Sequence, residues 1–260
     1  MADVLVYATA ARAEAARRLL GVACRATGAV ARVEVFNSSG SLFGRLTQRE
    51  GPRGDLVLGF GPYLLQAAAL EGLLEPYRPR GVADTTVHHT RWLWTGLESA
   101  AWWVAPGVPN LQELGGARRL ALPDPARSEV GIMAVLATLD HARRVGGDPD
   151  GAWSWWQRRI ASGVVLTEDA ATPAAGASHV LRLGPLEGGA PLTELAAMPH
   201  PVALLAGARN ADAARALIDQ LIGAAPTPTA TEYTDVEWTL GQYRAVRERW
   251  LSSGWSPSTG

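Results

Sequence analysis

Lysine is missing from this chain: all 24 basic residues are arginine. Beside the abundance of alanine and glycine, that usage reflects genomic base composition before any function. An excess of charge is missing too. With 24 basic and 25 acidic residues the formal net charge is −1, so no global field recruits nucleic acid or an anionic membrane. Cysteine is almost absent, and the lone Cys24 excludes an internal disulfide and a cysteine-built zinc site. No run of about 18 apolar residues occurs, which removes a membrane-spanning helix. The opening MADVLVYATA enters a strand directly, without the basic and apolar regions of a secretory signal. Either the protein is cytoplasmic or its export signal is absent from the present chain.

What remains is enough for a globular α/β protein. A chain of 260 residues that is 47% hydrophobic can bury one large core or two smaller ones, and 19% charged residues argue against disorder. The stretch from Arg119 to Arg144 organises the reading. Leu120 to Leu122 is a short apolar run suited to a buried strand, and Pro123-Asp124-Pro125 stops it. From Ser128 onward Ile132, Val135, Leu136 and Leu139 recur at helical spacing. A strand therefore hands over to a helix whose first turn carries unsatisfied N–H groups and the positive end of a dipole. Ser128 is either its N-cap alone or part of an anion cradle.

Strands and helices alternate along the chain. Val4 to Tyr7 is a strand, Arg12 to Thr27 a helix ended by Gly28, and Ala31 to Phe36 a half-buried strand. The polar loop Asn37 to Ser41 leads into a helix over Leu42 to Gln48, then a strand from Asp55 to Phe60 and a helix from Pro62 to Glu71. This βαβαβα order predicts a parallel sheet with its loops at one edge. Gly81 to Trp103 is irregular until SAAWWVAP, which reads as a strand. A second series follows: a helix around Trp153, Trp156 and Ile160, a strand from Ser178 to Leu183, and a strand from Val202 to Leu205. Asn210 caps the next helix, and after a Pro/Thr/Ala linker Thr234 to Glu237 forms a capping box for the last one. Strand-like crossings near 98–104 and 197–205 divide the chain into two lobes with a cleft between them. Lobe 1 spans residues 1–97 and returns at 199–223, lobe 2 spans 98–198, and 224–260 is linker and terminal helix.

The segments VLVYATA, RAEAARRLL, VEVFNSSGSLFGRL and GDLVLGFGPYLLQAAALEGLLEPYRP, in that order, resemble the first lobe of bacterial solute-binding proteins of ABC importers. The branch concerned holds ferric-iron, thiamine, polyamine and phosphonate binders. VPNLQELGGARRLALPDPARSEVG and VALLAGARNADAARALIDQLIG are similar to its later segments, so the likeness covers roughly residues 3–223. It implies a two-lobed, type II Venus-flytrap fold with hinge crossings, no cofactor and no catalysis. It also implies a monomer working in the periplasm or outside the cell, capturing a small solute for a membrane permease. Ferric members hold their metal with adjacent tyrosines, a histidine and a glutamate. This chain has no Tyr-Tyr; Ser178 and His179 stand near the tyrosine positions, Ala10 or Ala11 at the histidine, and Phe60 at the glutamate.

Hydroxyls and aromatics are the remaining ligand candidates. Thr9, Ser38, Ser39 and Ser128 each lie where a strand gives way to a helix, a pattern that suits a phosphate, phosphonate or carboxylate, and Arg127 adds a bidentate donor. The competing reading is four unrelated caps. Trp92 and Trp94 offer faces for a flat or cationic ligand, whereas Trp153 and Trp156 read as packing. Among the histidines, His179 is the best ligand candidate, the competing reading being a satisfied strand histidine. His88 and His89 belong to a loop, His141 faces solvent, and His200 is a hinge residue or a cleft-facing donor. The expected ligand set is therefore Thr9, Ser38, Ser39, Phe60, Trp94, Arg127, Ser128, Ser178 and His179, with no metal ligand. The principal reading is importer capture of a small solute of anion, phosphonate or metal-anion type in the interlobe cleft, for delivery to a permease. Iron, thiamine or polyamine binding by the same fold and a cytoplasmic ligand-sensing domain are the alternatives. A nucleotide-dependent enzyme is the minor one, since Gly59-x-Gly61 lacks its third glycine.

Overall fold

The computed structural model describes residues 2–48, 53–58, 61–83, 86, 88–108, 110–126, 128–167, 177–183, 187–195, 197–224 and 236–252. In chain order the strands and helices are β1 (Asp3–Thr9), a 3-10 turn (Ala10–Arg12), α1 (Ala13–Thr27), β2 (Val30–Phe36), α2 (Ser39–Thr47) and β3 (Leu56–Leu58). They continue with α3 (Pro62–Leu70), β4 (Leu74–Glu75), β5 (Thr95–Ala100), β6 (Trp102–Ala105), α4 (Leu111–Gly115) and β7 (Leu120–Pro123). The rest are α5 (Glu129–Arg144), α6 (Pro149–Ala161), β8 (Val165–Thr167), β9 (His179–Leu183), β10 (Ala190–Pro191), β11 (Met198–Leu205), α7 (Ala211–Ala224) and α8 (Val236–Ser252). Two compact units result: Met1–Ser99 with Pro199–Glu232, and Ala100–Met198 with Tyr233–Gly260. SAAWWVAP, expected as one strand, is two. β5 pairs with β11 in the first sheet, while β6 pairs with β9 and β10 in the second.

The first unit is a mixed sheet in the order β2-β1-β3-β11-β4. β1 runs parallel to β2 and β3, and β11 runs antiparallel to β3 and β4. β1 is buried over Val4 to Thr9, as a strand covered on both faces must be. Val4, Val6 and Ala8 pack with Leu56, Leu58, Val202 and Leu204 against the apolar stripes of α1 and α7. The alternate residues Leu5, Tyr7 and Val57 take the opposite face, where α2 meets β1. α1 ends at Gly28, whose φ of 70° is the left-handed conformation that closes a helix. Asp55, 2% exposed, ties the unit together: its carboxylate accepts the Leu5 N–H at 2.8 Å and the Asn210 N–H at 2.9 Å. Asn210 donates its side-chain amide to the Asp3 carbonyl, so part of the expected capping at α7 falls to Asp55.

The second unit is built on the sheet β10-β6-β9-β7-β8, with β7 parallel to β8 and β9. α5 begins one residue after Ser128 and is buried over Gly131 to Asp140. Its entry is tight, because a Cβ at Gly131 would fall on the Pro123 carbonyl and lie 2.8 Å from Pro125 N. Only glycine lets the first turn approach the end of β7 so closely. Trp153 and Trp156 of α6 meet Trp250 of α8 edge-on, with ring centroids 6.3 and 6.2 Å apart. The terminal helix thus packs into the core of the second unit. The capping box expected at Thr234 lies outside the described residues.

Candidate functional site

In the first unit the turns that leave β1 and β2 open on one edge of the sheet. Thr9 is opposite Phe36 in the β1–β2 register, so the Thr9 turn and the Ser38-Ser39 turn sit side by side beyond the carboxyl ends of parallel strands. The Gly61-Pro62 start of α3 follows the same end of β3. Helix N-termini gathered at the carboxyl edge of a parallel sheet are the usual geometry for holding anions. Thr9 is 7% exposed at the entry to the 3-10 turn and makes no side-chain cap there. Arg12, the residue immediately before α1, supplies the edge with positive charge that the sequence pattern does not single out.

The two serines of α2 differ in what they have left to offer. Ser38 Oγ accepts the Ser41 N–H at 3.1 Å while Ser41 Oγ accepts the Ser38 N–H at 3.2 Å, a reciprocal capping box. This box starts the helix at Ser39, three residues ahead of the expected Leu42. Ser39 is half-buried at the first helical position, and its hydroxyl makes no hydrogen bond among the described residues. The Ser38 hydroxyl is already engaged; the Ser39 hydroxyl is available.

His200 lies on this side of the first unit. It precedes Val202, which pairs with Leu58 at the end of β3, and is 6% exposed within β11 beside a small cavity lined by Arg12, Leu58 and Leu97. Burial, with a smaller contribution from the nearby Arg12 charge, holds its pKa well below 6.5. The strand expected from Val202 starts at Met198. Pro199 and Pro201 precede the part of β11 that pairs with β3, so no ladder N–H is missing from that pairing.

In the second unit Ser128 caps α5 by accepting the Gly131 N–H at 3.4 Å, and its backbone N–H is held by the Asp124 carbonyl at 2.7 Å. Asp124 in turn receives an N–H at its Oδ1 from Ala126. Glu129, in the first turn, is buried and close to Tyr243 of α8; burial and that carboxylate push the Tyr243 pKa upward.

Ser178 and His179 do not join Ser128 within the second unit. His179 pairs with Leu120 in parallel register, which puts both residues at the amino ends of β9 and β7, the opposite sheet edge from Ser128. The separation along β7 from Arg119 to Asp124 is about 16 Å. Ser178 Oγ accepts the Arg119 N–H at 3.0 Å and donates to the Arg119 carbonyl at 2.9 Å, so its hydroxyl bridges two strands. His179 Nδ1 is 3.2 Å from that same hydroxyl. The sequence pattern contains no signal for this pairing, which depends on chain segments 59 residues apart.

The aromatic candidates are largely occupied. Trp94 is 2% exposed. Trp92 is stacked on His88, with ring centroids 3.6 Å apart, and carries the Arg78 guanidinium 4.9 Å from its centroid. Among the described tyrosines, Tyr7 and Tyr63 are buried, Tyr77 donates to Asp219 at 2.8 Å, and Tyr243 is half-buried on α8. Phe60 and Arg127 lie outside the described residues.

No family model and no curated protein matches the sequence. Solved structures do match over nearly the full length. The periplasmic binding protein AfuA from Actinobacillus pleuropneumoniae, solved with fructose-6-phosphate, is 16% identical with a TM-score of 0.72, covering 96% of this chain and 98% of its own. Iron-bound HitA from Pseudomonas aeruginosa is 12% identical with a TM-score of 0.72, covering 98% of this chain and 100% of its own. An ABC transporter substrate-binding protein from Bradyrhizobium japonicum is 11% identical with a TM-score of 0.69, covering 98% and 100%. The chain has the α/β fold of the periplasmic binding proteins.

Proposed function

We propose that this chain is the solute-capturing component of an ABC importer, working outside the cytoplasm and passing a small phosphate- or phosphonate-bearing solute to a membrane permease without transforming it. The fold supports importer capture, since the structures it resembles are binding proteins and one of them is named as an ABC transporter component. The observation that carries the ligand class is the carboxyl edge of β1 and β2. There Thr9 pairs with Phe36 in the sheet register, Arg12 follows in the turn after β1, and the first turn of α2 with its Ser39 hydroxyl follows β2. An oxyanion is suited to helix amides, hydroxyls and one guanidinium. The first turn of α5 at Ser128 is the corresponding anion-binding element of the second unit. Ferric iron is the less suitable cargo: it needs anionic oxygen donors, and among the described tyrosines Tyr7 and Tyr63 are buried and Tyr77 is bonded to Asp219.

A thermal-shift panel on the whole chain tests this reading. A ligand that binds only the folded state raises stability by about 2.7 kcal/mol at 100 times its Kd. The expected hits are sugar phosphates, inorganic phosphate or phosphonates, with no response to ferric citrate. Ser39→Ala and Ser128→Ala are each expected to reduce the ligand-induced increment in Tm, compared with their own ligand-free values. A response to ferric citrate alone, or increments unchanged in both variants, defeats the assignment.

A further inference from the structure

We propose that a groove on the second unit, far in the fold from the α5 N-terminus, binds a small organic cation with an apolar body. The groove encloses about 340 Å³ between the last turn of α5, the start of α6 and the start of α4. That volume is within the roughly 300–1,000 Å³ typical of small-molecule sites. Its walls are apolar: Leu111, Ala152 and Trp155 line it, with Val145, which leaves 66% of its surface in water. Such a wall favours a hydrocarbon body over a hydrated ion.

The polar groups of the groove define the sign of the ligand. Asp148 and Glu194 are its two charged lining residues, and no arginine lines it among the described residues. The arginines of the adjacent helix end are engaged elsewhere: Arg143 and Arg144 each lie 3.0 Å from the buried Asp140 carboxylate. Gln112, Thr138 and His141 complete the polar lining. Two carboxylates beside an indole on an aliphatic floor match an alkylammonium group, which gains charge pairing and an aromatic face together. Each carboxylate has one oxygen committed to the backbone. Glu194 accepts the Leu111 N–H, and Asp148 accepts the Asp150 N–H at 3.0 Å as the N-cap of α6.

Those commitments make clean variants possible. Glu194→Gln and Asp148→Asn keep an acceptor for each N–H and remove only the charge. The experiment is titration calorimetry of the full chain with hexylammonium, hexanol and hexanoate, three probes of equal length and different charge. Hexylammonium is expected to bind, with hexanol weaker and hexanoate silent. The double variant Glu194→Gln/Asp148→Asn is expected to weaken hexylammonium by about tenfold or more while its circular dichroism stays that of the parent. Trp155→Leu, which keeps apolar bulk and removes the ring face, is expected to weaken it about threefold or more. Hexanoate or hexanol binding as tightly as hexylammonium, a double variant that binds like the parent, or no heat from hexylammonium overturns the proposal.

Discussion

A histidine buried without its proton makes folding depend on pH, and His200 is such a residue. Its pKa in the fold is well below 6.5 because burial disfavours the imidazolium, and the Arg12 charge adds to that. The unfolded chain takes up the proton near the ordinary value, so between the two pKa values the unfolded state binds more protons. Stability from this residue is therefore full above about pH 6.5 and is lost as the pH falls below it, by at most about 1.4 kcal/mol per pH unit for one proton. His89 shifts the same way, mainly through burial, so the parent curve contains both contributions. Urea unfolding of the parent and of His200→Gln between about pH 7.5 and pH 5 isolates the first. The variant is expected to show a shallower decline over that range, whatever its stability at neutral pH. Parallel curves would mean that His200 is protonated in the folded protein.

At the scale of the element, α2 separates a structural serine from a binding one. Ser38→Ala removes half of the capping box and is expected to cost about 1 kcal/mol in urea unfolding while leaving the ligand-induced Tm increment intact. Ser39→Ala is expected to do the reverse, because its hydroxyl holds nothing among the described residues. At the entry to α5, Gly131→Ala would place a methyl group against the Pro123 carbonyl and is expected to destabilise by about 1–3 kcal/mol or more. It should also weaken the ligand response by moving the Ser128 turn, which calorimetry on the variant can detect. The element pattern itself was readable: the α5 stripe, the Gly28 stop and the alternation of strands arise from spacing within about 18 residues. Gly131 was not readable as a constraint, because its reason is a contact with Pro123 across a turn. The position of Ser178 is hidden from the sequence for a related cause. Its residue type suits a ligand loop, but its partner is the backbone of Arg119 on a neighbouring strand.

For the whole molecule, the sequence pattern places the divisions after 97, 198 and 223. The compact units change at 99/100, 198/199 and 232/233. The C-terminal helix, grouped with its linker as 224–260, packs with α5 and α6, and this has a measurable consequence. Trp250 is 1% exposed and touches Trp153 and Trp156, while Arg249 pairs with Asp150 at 2.9 Å and lies over the Trp153 ring. The exposed ion pair is worth little, so the indole carries most of the attachment. Trp250→Ala removes a large buried ring and is expected to cost about 3–5 kcal/mol. Because its neighbours belong to the second unit, the loss should be local. Native-state hydrogen exchange is expected to show reduced protection in α5 and α6 with β1, α1 and α7 unchanged, whereas Leu217→Ala in α7 should give the opposite map. Equal loss of protection in both units from either substitution would mean that the chain unfolds as one cooperative body and that the division carries no energetic weight.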